Sequence, residues 1–160
     1  MRGSTHRLIW RRATTTTSTA PPVSPRRVAV DTGALLALAS SRDQYHARAR
    51  STLARLQKSG TKLLGHTLVL GELHGHLLRR LEPQDARRVV LALLHDPTFE
   101  WIDVGSDILS RALSNWIERF ADQRFSLTDA VTFEMMREER VTQAFAFDQG
   151  FTTAGYVLLA

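Results

Sequence analysis

Residues 28–33 read VAVDTG, a short apolar run that ends in the carboxylate of Asp31. A run of this length with β-branched residues is typical of a buried strand. A second apolar run near the end of the chain, Ala144-Phe145-Ala146-Phe147, leads in the same way into Asp148. The two stretches predict two strands that each end in an acid, although an unpaired acid is rarely found inside a protein.

The rest of the sequence alternates between strand-like and helix-like segments. We expect strands at Val28–Val30, Lys62–Leu64, Phe99–Val104, Gln143–Phe147 and Tyr156–Leu159. We expect helices at Ala34–Ala39, Gln44–Lys58, Thr67–Leu81, 84–95, Ser106–Phe120 and Leu127–Glu139. This alternation predicts an α/β fold with a parallel central sheet of about four to five strands and helices on both faces. Because ligand sites of such sheets lie outside the carboxyl ends of the strands, Asp31 and Asp148 should share one rim.

Two further acids lie among apolar residues near the starts of predicted helices. Glu72 lies in Leu70-Gly71-Glu72-Leu73, and Asp129 lies in FSLTDAVTFEMM, residues 125–136. Each acid taken alone could be a helix cap or a first-turn residue. Taken together, four acids would converge on one pocket, and two unit charges about 4 Å apart cost about 4 kcal/mol at an effective dielectric constant of about 20.

A divalent cation would relieve this repulsion. Mg²⁺ and Mn²⁺ prefer oxygen ligands, and a metal held by carboxylates activates water and neutralises charge on a phosphoryl group. The four acids therefore point to phosphodiester hydrolysis. Other phosphate chemistries fit less well: there is no G-x-x-x-x-G-K loop, Gly33 stands where a haloacid-type phosphatase has a second Asp, and a receiver-type domain needs a late Lys that is absent after Lys62.

Composition sets broad limits on the class of protein. The chain has 160 residues, which suggests one domain, and it has no cysteine, which excludes disulfides and thiolate metal sites. No apolar run approaches the roughly 20 residues needed to span a bilayer. We therefore expect no membrane association, and a cytoplasmic location.

The net charge of +5 is concentrated at the N-terminus. Residues 1–27 hold six of the 21 basic residues and no acid, so residues 28–160 hold 15 basic and 16 acidic residues, a net charge of −1. We interpret residues 1–27 as a disordered, basic, Thr- and Pro-rich tail. It could be a transit peptide, a nucleic-acid-binding arm or the product of a mis-assigned translation start near Val23 or Val28.

The order of these motifs resembles a known family. The motifs are, in chain order, V-x-V-D-T, an isolated central Glu, S-L-T-D-A, and F-D-x-x-F with a following Gly. This order is similar to that of PIN-domain ribonucleases, and more narrowly to that of VapC-type toxins of type II toxin–antitoxin modules. Asp43-Gln44-Tyr45-His46 also resembles a D-x-x-H helix start common there. The resemblance covers residues 28–160, and it implies a PIN-like α/β nuclease domain over that range.

The resemblance implies a role for each acid. Catalytic and metal-binding roles fall on four residues: Asp31, Glu72, Asp129 and Asp148. Support would come from three more: the hydroxyl of Thr128 or Ser126, and the carboxylate of Asp122. The metal would be Mg²⁺ or Mn²⁺, and a metal-bound water would cut RNA to leave 3′-hydroxyl and 5′-phosphate ends. Gly71 and Gly75 depart from a good helix sequence and are expected to loosen the helix around Glu72.

The same resemblance implies partners: a cognate VapB-type antitoxin, an RNA substrate and a second copy of the chain in a homodimer. Leucine and alanine side chains from the helices Ala34–Ala39 and Thr67–Leu81 would form a groove for an apolar helix of the antitoxin. The identity of the RNA is left open among transfer, ribosomal and messenger RNA. The alternative function is a non-catalytic PIN-like module that binds RNA or protein.

Basic residues and histidines admit two interpretations each. Arg137 and Arg140 follow the Asp129 helix and could contact RNA phosphates, although such pairs are usually solvated. Glu72 and His76 are four residues apart and could share one helix face as part of a metal site. His66 precedes a predicted helix, and we expect it in a loop.

Overall fold

The computed structural model describes residues 26–160, and a five-stranded parallel sheet lies at its centre. The strand order is β3-β2-β1-β4-β5, so β1, which carries the opening motif, is the central strand. The strands are β1 (Arg27–Val30), β2 (Lys62–His66), β3 (Phe99–Ile102), β4 (Gln143–Phe145) and β5 (Val157–Leu158).

Helices connect the strands and cover both faces of the sheet, which confirms the predicted α/β fold. The described residues form α1 (Thr32–Ala39), α2 (His46–Lys58), α3 (Thr67–Leu77), α4 (Pro83–His95), α5 (Ser106–Ala112), α6 (Leu127–Glu138) and α7 (Gly150–Thr153). A π-helical segment, Leu113–Glu118, continues α5. Among residues 26–160, no helix is both long enough and apolar enough to cross a bilayer.

The central strand is buried on both faces because its side chains alternate between two cores. Val28 and Val30 pack into the core under α1 to α4, and Ala29 packs into the core under α5 and α6. All three residues are fully buried. The backbone of Asp31 donates to the carbonyl of Phe145 at 3.2 Å, which pins the end of β1 against β4.

Several predicted boundaries differ from the structure. Helix α3 ends at Leu77 rather than Leu81, because the chain turns through residues 78–81 before Pro83 begins α4. Strand β3 ends two residues early, and β4 ends at Phe145 rather than at Phe147. The four-residue helix α7 is too short to leave a periodic apolar pattern, and the sequence did not predict it.

The predicted continuous helix Ser106–Phe120 is wrong in its second half, where the backbone widens into the π-helical segment. A fully buried carboxylate on the facing helix, that of Glu134, lies opposite this segment. Asn115 Nδ2 donates to it at 3.2 Å and Trp116 Nε1 donates at 3.1 Å. Adjacent residues point in different directions on a regular α-helix, so the π-helical turn accompanies an arrangement in which neighbouring side chains reach one acceptor.

The predicted tail, residues 1–27, lies outside the described residues except for its last two. Arg27 is the first residue of β1, and its Nη1 lies 2.7 Å from the carboxylate of Glu139. The ordered domain therefore includes at least one residue that we predicted to be part of the tail.

Candidate metal centre

Asp31 lies at the carboxyl end of the central strand, where it also caps helix α1. Its Oδ2 accepts a hydrogen bond from the backbone N–H of Gly33 at 3.0 Å. A Cβ atom on Gly33 would approach that oxygen to 3.1 Å, so glycine leaves room for the carboxylate. Asp31 is only 8% exposed. The sequence Asp-Thr-Gly thus holds the acid in one orientation at the rim.

Asp148 is held in the same way beside the neighbouring strand. Its Oδ1 accepts from the backbone N–H of Gly150 at 2.7 Å, and a Cβ atom on Gly150 would approach that oxygen to 3.2 Å. Asp148 and Gly150 therefore repeat the Asp-x-Gly arrangement of Asp31 and Gly33. This repeated spacing is visible in the sequence, and it is a signal that the sequence analysis missed.

Glu72 reaches the rim from the second turn of α3. Its Oε2 accepts a hydrogen bond from the Oγ1 of Thr32 at 3.1 Å, which joins it to the residue after Asp31. His76 lies one turn further along the same helix face, with its Nε2 3.9 Å from Glu72 Oε1. The glycines on either side do not interrupt the helix, so Glu72 has a defined position.

Asp129 enters from the opposite side of the sheet, in the first turn of α6. Ser126 Oγ accepts from the Asp129 N–H at 3.1 Å, and Asp129 Oδ2 accepts from the Ser126 N–H at 2.8 Å. This reciprocal pair is a capping box. Of the two predicted supporting hydroxyls, that of Ser126 contacts Asp129, whereas Thr128 contributes its backbone carbonyl to a bond with Thr132.

The charges of the four acids influence one another. Burial raises the pKa of Asp31 to about 7, opposed by backbone donors and reinforced by the charges of Asp129 and Glu72. Burial also raises the pKa of Asp129, and the charges of Asp148 and Glu72 add to it. Among residues 26–160, no Lys or Arg forms an ion pair with any of the four.

Each acid has one carboxylate oxygen without a hydrogen bond from the described residues, but the four acids do not form a complete coordination shell. Each uses one carboxylate oxygen for the hydrogen bond described above, and the other accepts none from residues 26–160. Within that range, no three His, Cys, Asp or Glu side chains stand close enough to hold an ion as they are. Mg²⁺ commonly takes one or two carboxylates and completes its shell with water and substrate phosphate, so a buried carboxylate without a cationic partner fits it.

The sequence profile of the PIN domain matches residues 28–155. The chain belongs to the PIN-domain family. The family prediction is thereby confirmed, and the four acids of the motif order lie at the rim of this PIN domain. Their roles as ligands remain a prediction.

A curated relative of this PIN domain is the 23S rRNA-specific endonuclease VapC20 of Mycobacterium tuberculosis. It is 29% identical over 128 residues, which cover 80% of this chain and 94% of the relative. Its crystal structure, described as that of a sarcin–ricin loop cleaving toxin, superimposes with a TM-score of 0.71 over 81% of this chain and 96% of that one. The predicted likeness to VapC toxins is confirmed by this relative, which is itself an endonuclease.

Two more distant structures share the fold of the PIN domain. VapBC2 from Rickettsia felis, bound to a DNA fragment from its promoter, has a TM-score of 0.63 at 13% identity and covers 82% of this chain and 96% of that one. FitAcB from Neisseria gonorrhoeae has a TM-score of 0.59 at 13% identity, with 83% and 96% covered.

Three further predicted residues of the PIN domain form no hydrogen bond or ion pair with the four acids within residues 26–160. Asp122 is exposed, and its carboxylate accepts from Gln123 Nε2. Arg137 and Arg140 follow the opposite end of α6, and Arg137 lies about 12 Å along the helix axis from Asp129 at 1.5 Å per residue. Arg137 Nη2 is also paired with Glu134 at 2.6 Å. Arg137 and Arg140 therefore lie away from Asp129, whereas the supporting role of Asp122 stays a prediction.

His66 was predicted to lie in a loop, and that prediction is wrong. It is the last residue of β2, and it is 0% exposed. Burial lowers its pKa from 6.5 to about 4, so the ring is neutral. Histidine has only an intermediate tendency to be buried, so its position at the end of KLLGH did not indicate that His66 is fully buried.

Proposed function

We propose that this PIN domain is a metal-dependent endoribonuclease that acts as the toxin of a toxin–antitoxin pair. One observation carries the proposal: carboxylates from four segments lie at the carboxyl rim, and within residues 26–160 none of them is paired with a Lys or Arg. A binding module would gain nothing from this repulsion, whereas a nuclease needs negative charge to attract a divalent cation.

Asp31, Glu72, Asp129 and Asp148 would hold Mg²⁺ or Mn²⁺ between them. Such an ion, when bound, would supply a water molecule of lowered pKa and would offset negative charge on the scissile phosphate. The protein's part is to hold the acids still. The Gly33 and Gly150 amides orient the two strand-end acids, Thr32 orients Glu72, and the Ser126 cap orients Asp129.

Ribosomal RNA is the substrate that we propose to test first. The support is the likeness to VapC20, which is named for its action on 23S rRNA and matches this chain over most of its length. The domain itself carries little net charge, so we expect the RNA's shape and the rim to direct cleavage rather than general attraction to phosphate.

The test is cleavage of purified ribosomes with Mg²⁺, analysed by primer extension on the large-subunit RNA. We expect discrete cuts in the RNA that disappear when a chelator is added. Cleavage by Asp31→Asn or by Asp129→Asn should be at least about 100-fold slower than cleavage by the parent. Asp85→Asn, on α4, is the matched control and should cleave normally. If Asp31→Asn cleaves as fast as the parent, the metal mechanism is wrong; if calorimetry also detects no Mn²⁺ binding, the non-catalytic module is favoured.

The proposed antitoxin would bind a groove between the ends of α1 and α3. A cavity of about 660 Å³ lies there, and its apolar lining includes Leu36, Leu77 and Leu81. Arg42, Asp43 and Arg80 lie around it. This surface suits an amphipathic helix with polar residues on one side.

Coexpression with the protein of the adjacent reading frame tests this partner. We expect a complex on size exclusion, suppression of RNA cleavage, and loss of both with Leu77→Asp. The same proposal includes a cytoplasmic location and a homodimer. The molar mass of the isolated protein in solution tests whether it is a dimer. A monomer that remains active with the candidate antitoxin would contradict it.

A further inference from the structure

His66 lies where two acid-bearing helices meet. It is the last residue of β2, and α3, which carries Glu72, begins at the next residue. Its Nε2 lies 2.8 Å from Oγ1 of Thr132 on α6, the helix that carries Asp129. A fully buried imidazole thus links the strand end to both helices.

The hydrogen bonds define which ring nitrogen carries the proton. Thr132 Oγ1 donates its single proton to the backbone carbonyl of Thr128 at 2.9 Å. It can therefore only accept at its contact with His66, so His66 Nε2 must be the donor. Nδ1 then carries a lone pair, and it has no hydrogen-bond partner within the part of the chain that the structure describes.

A buried Nδ1 without a partner is unfavourable, and an apolar side chain would avoid that cost. Core packing therefore does not account for a histidine here, whereas the donated hydrogen bond does. The bond reaches Thr132, whose hydroxyl holds the carbonyl of Thr128, the residue before Asp129. The chain of bonds ends beside the capping box of α6.

We propose that His66 is a positioning residue, whose Nε2–H, acting through Thr132, sets the first turn of α6 and hence places Asp129 relative to Glu72. This inference rests on the proposed nuclease function. His66 does not touch the acids, and its effect passes through the backbone of α6.

Matched variants separate the hydrogen bond from the volume of the ring. His66→Gln places an amide N–H near the position of Nε2, whereas His66→Asn is too short to reach Thr132. Thr132→Ser keeps the acceptor, and Thr132→Val removes it at nearly constant volume. Should His66→Asn fail to fold, Thr132→Val tests the same bond from the other side.

We expect His66→Asn and Thr132→Val to lower kcat by about tenfold or more, with a smaller change in KM, as is typical when a residue behind a ligand is lost. His66→Gln and Thr132→Ser should stay within about threefold of the parent. Equal kcat for His66→Asn and His66→Gln, with only unfolding affected, would show a merely structural role and overturn the proposal.

Two readouts do not depend on RNA cleavage. Imidazole ¹⁵N chemical shifts should show the Nε2–H tautomer from pH 5 to 8, and an Nδ1–H tautomer would overturn the proposal. Calorimetry should show weaker Mn²⁺ binding for His66→Asn and Thr132→Val than for the conservative pair, and equal binding would count against it. If the parent cuts no RNA yet these differences appear, the nuclease function fails and the positioning role stands.

Discussion

A single buried acid at the rim lowers the stability of the protein near neutral pH. Asp31 is buried without a basic partner, and its pKa is raised to about 7. Its ionised form is therefore less favourable in the folded protein than in the unfolded chain. Natural proteins commonly hold such unfavourable groups at functional sites.

Asp31→Asn is expected to stabilise the metal-free protein while it abolishes cleavage. The folded pKa lies above the unfolded value of 3.8, so the contribution of Asp31 to stability falls as pH rises from about 4 through about 7. The variant should gain up to about 4 kcal/mol above pH 7 and nothing below pH 3.8. Urea denaturation with chelator measures this, and exposed Asp122→Asn is the control. Equal stability of variant and parent at pH 8 would refute the prediction.

Glu134 is the opposite case, because hydrogen-bond donors lower the pKa of this buried acid by more than burial raises it. Burial alone would raise its pKa, but hydrogen bonds from Arg137, Asn115 and Trp116 hold it at about 2. Glu134→Gln should therefore cost about 2–4 kcal/mol at neutral pH. The stabilisation is present above pH 4.5 and is lost as pH falls toward 2.

Chemical denaturation at pH 7 and pH 3 measures this loss. Glu138→Gln, which removes a half-exposed partner of Arg111, is the matched control and should change stability by less than about 0.5 kcal/mol. A loss for Glu134→Gln no larger than that of the control would show that the buried network contributes little.

At the scale of elements, helix α3 carries Glu72 despite two glycines in its interior. A Cβ atom on Gly71 or on Gly75 would meet no atom within 4 Å. Neither glycine is therefore required by packing. By contrast, a Cβ atom on Gly65 of β2 would come 2.4 Å from the ring of Trp101 on the paired strand.

Gly71→Ala and Gly75→Ala should each raise the free energy of unfolding by about 0.5–1 kcal/mol, because alanine restricts the unfolded chain and favours the helix. Gly65→Ala should lower it by about 1–3 kcal/mol through overpacking. Thermal unfolding of the three variants provides the measurement. A lower stability of Gly75→Ala would contradict the prediction that its added methyl group meets no neighbouring atom.

At the scale of the whole molecule, the proposed metal binding would couple the four segments to global stability. A cation that binds only the folded state at about 100 times its Kd adds about 2.7 kcal/mol, or about 5–10 °C in Tm for a domain of this size. We expect Mn²⁺ to produce such a shift in the parent and little in Asp31→Asn. An equal shift in both would place the ion elsewhere.

Whole-molecule stability should also depend on pH through two opposed groups. The pKa of His66 is lowered from 6.5 to about 4, so its burial costs stability as pH falls through that interval. Asp31 acts in the opposite sense over nearly the same interval. These two contributions should largely cancel in the metal-free parent between about pH 4 and 6.5, and the raised pKa of Asp129 adds a further contribution of the same sign as that of Asp31. Asp31→Asn should lose up to about 3 kcal/mol on acidification. A steep parent profile in denaturation experiments would contradict this.

Local patterns predicted the fold correctly and identified the four acids as candidates. Strands buried on both faces and helices with a regular apolar period can be recognised in the sequence, because the side-chain repeats of strands and helices differ. Asp31 and Asp148 follow strands, so the topology rule placed them together. Boundaries were less accurate, because turns such as residues 78–81 and the π-helical segment depend on partners distant in the chain.

Patterns along the chain predicted the parallel sheet, its two acid-bearing strands and the four candidate ligands, since these depend on neighbours in the sequence. Long-range packing sets the strand order and the orientation of each acid. It also pairs Arg137 with Glu134 and buries His66 between β2 and α6. Those features depend on contacts between residues that are far apart in sequence, for example the 66 positions between His66 and Thr132. Burial and hydrogen bonding at such distances exist only once the chain has packed.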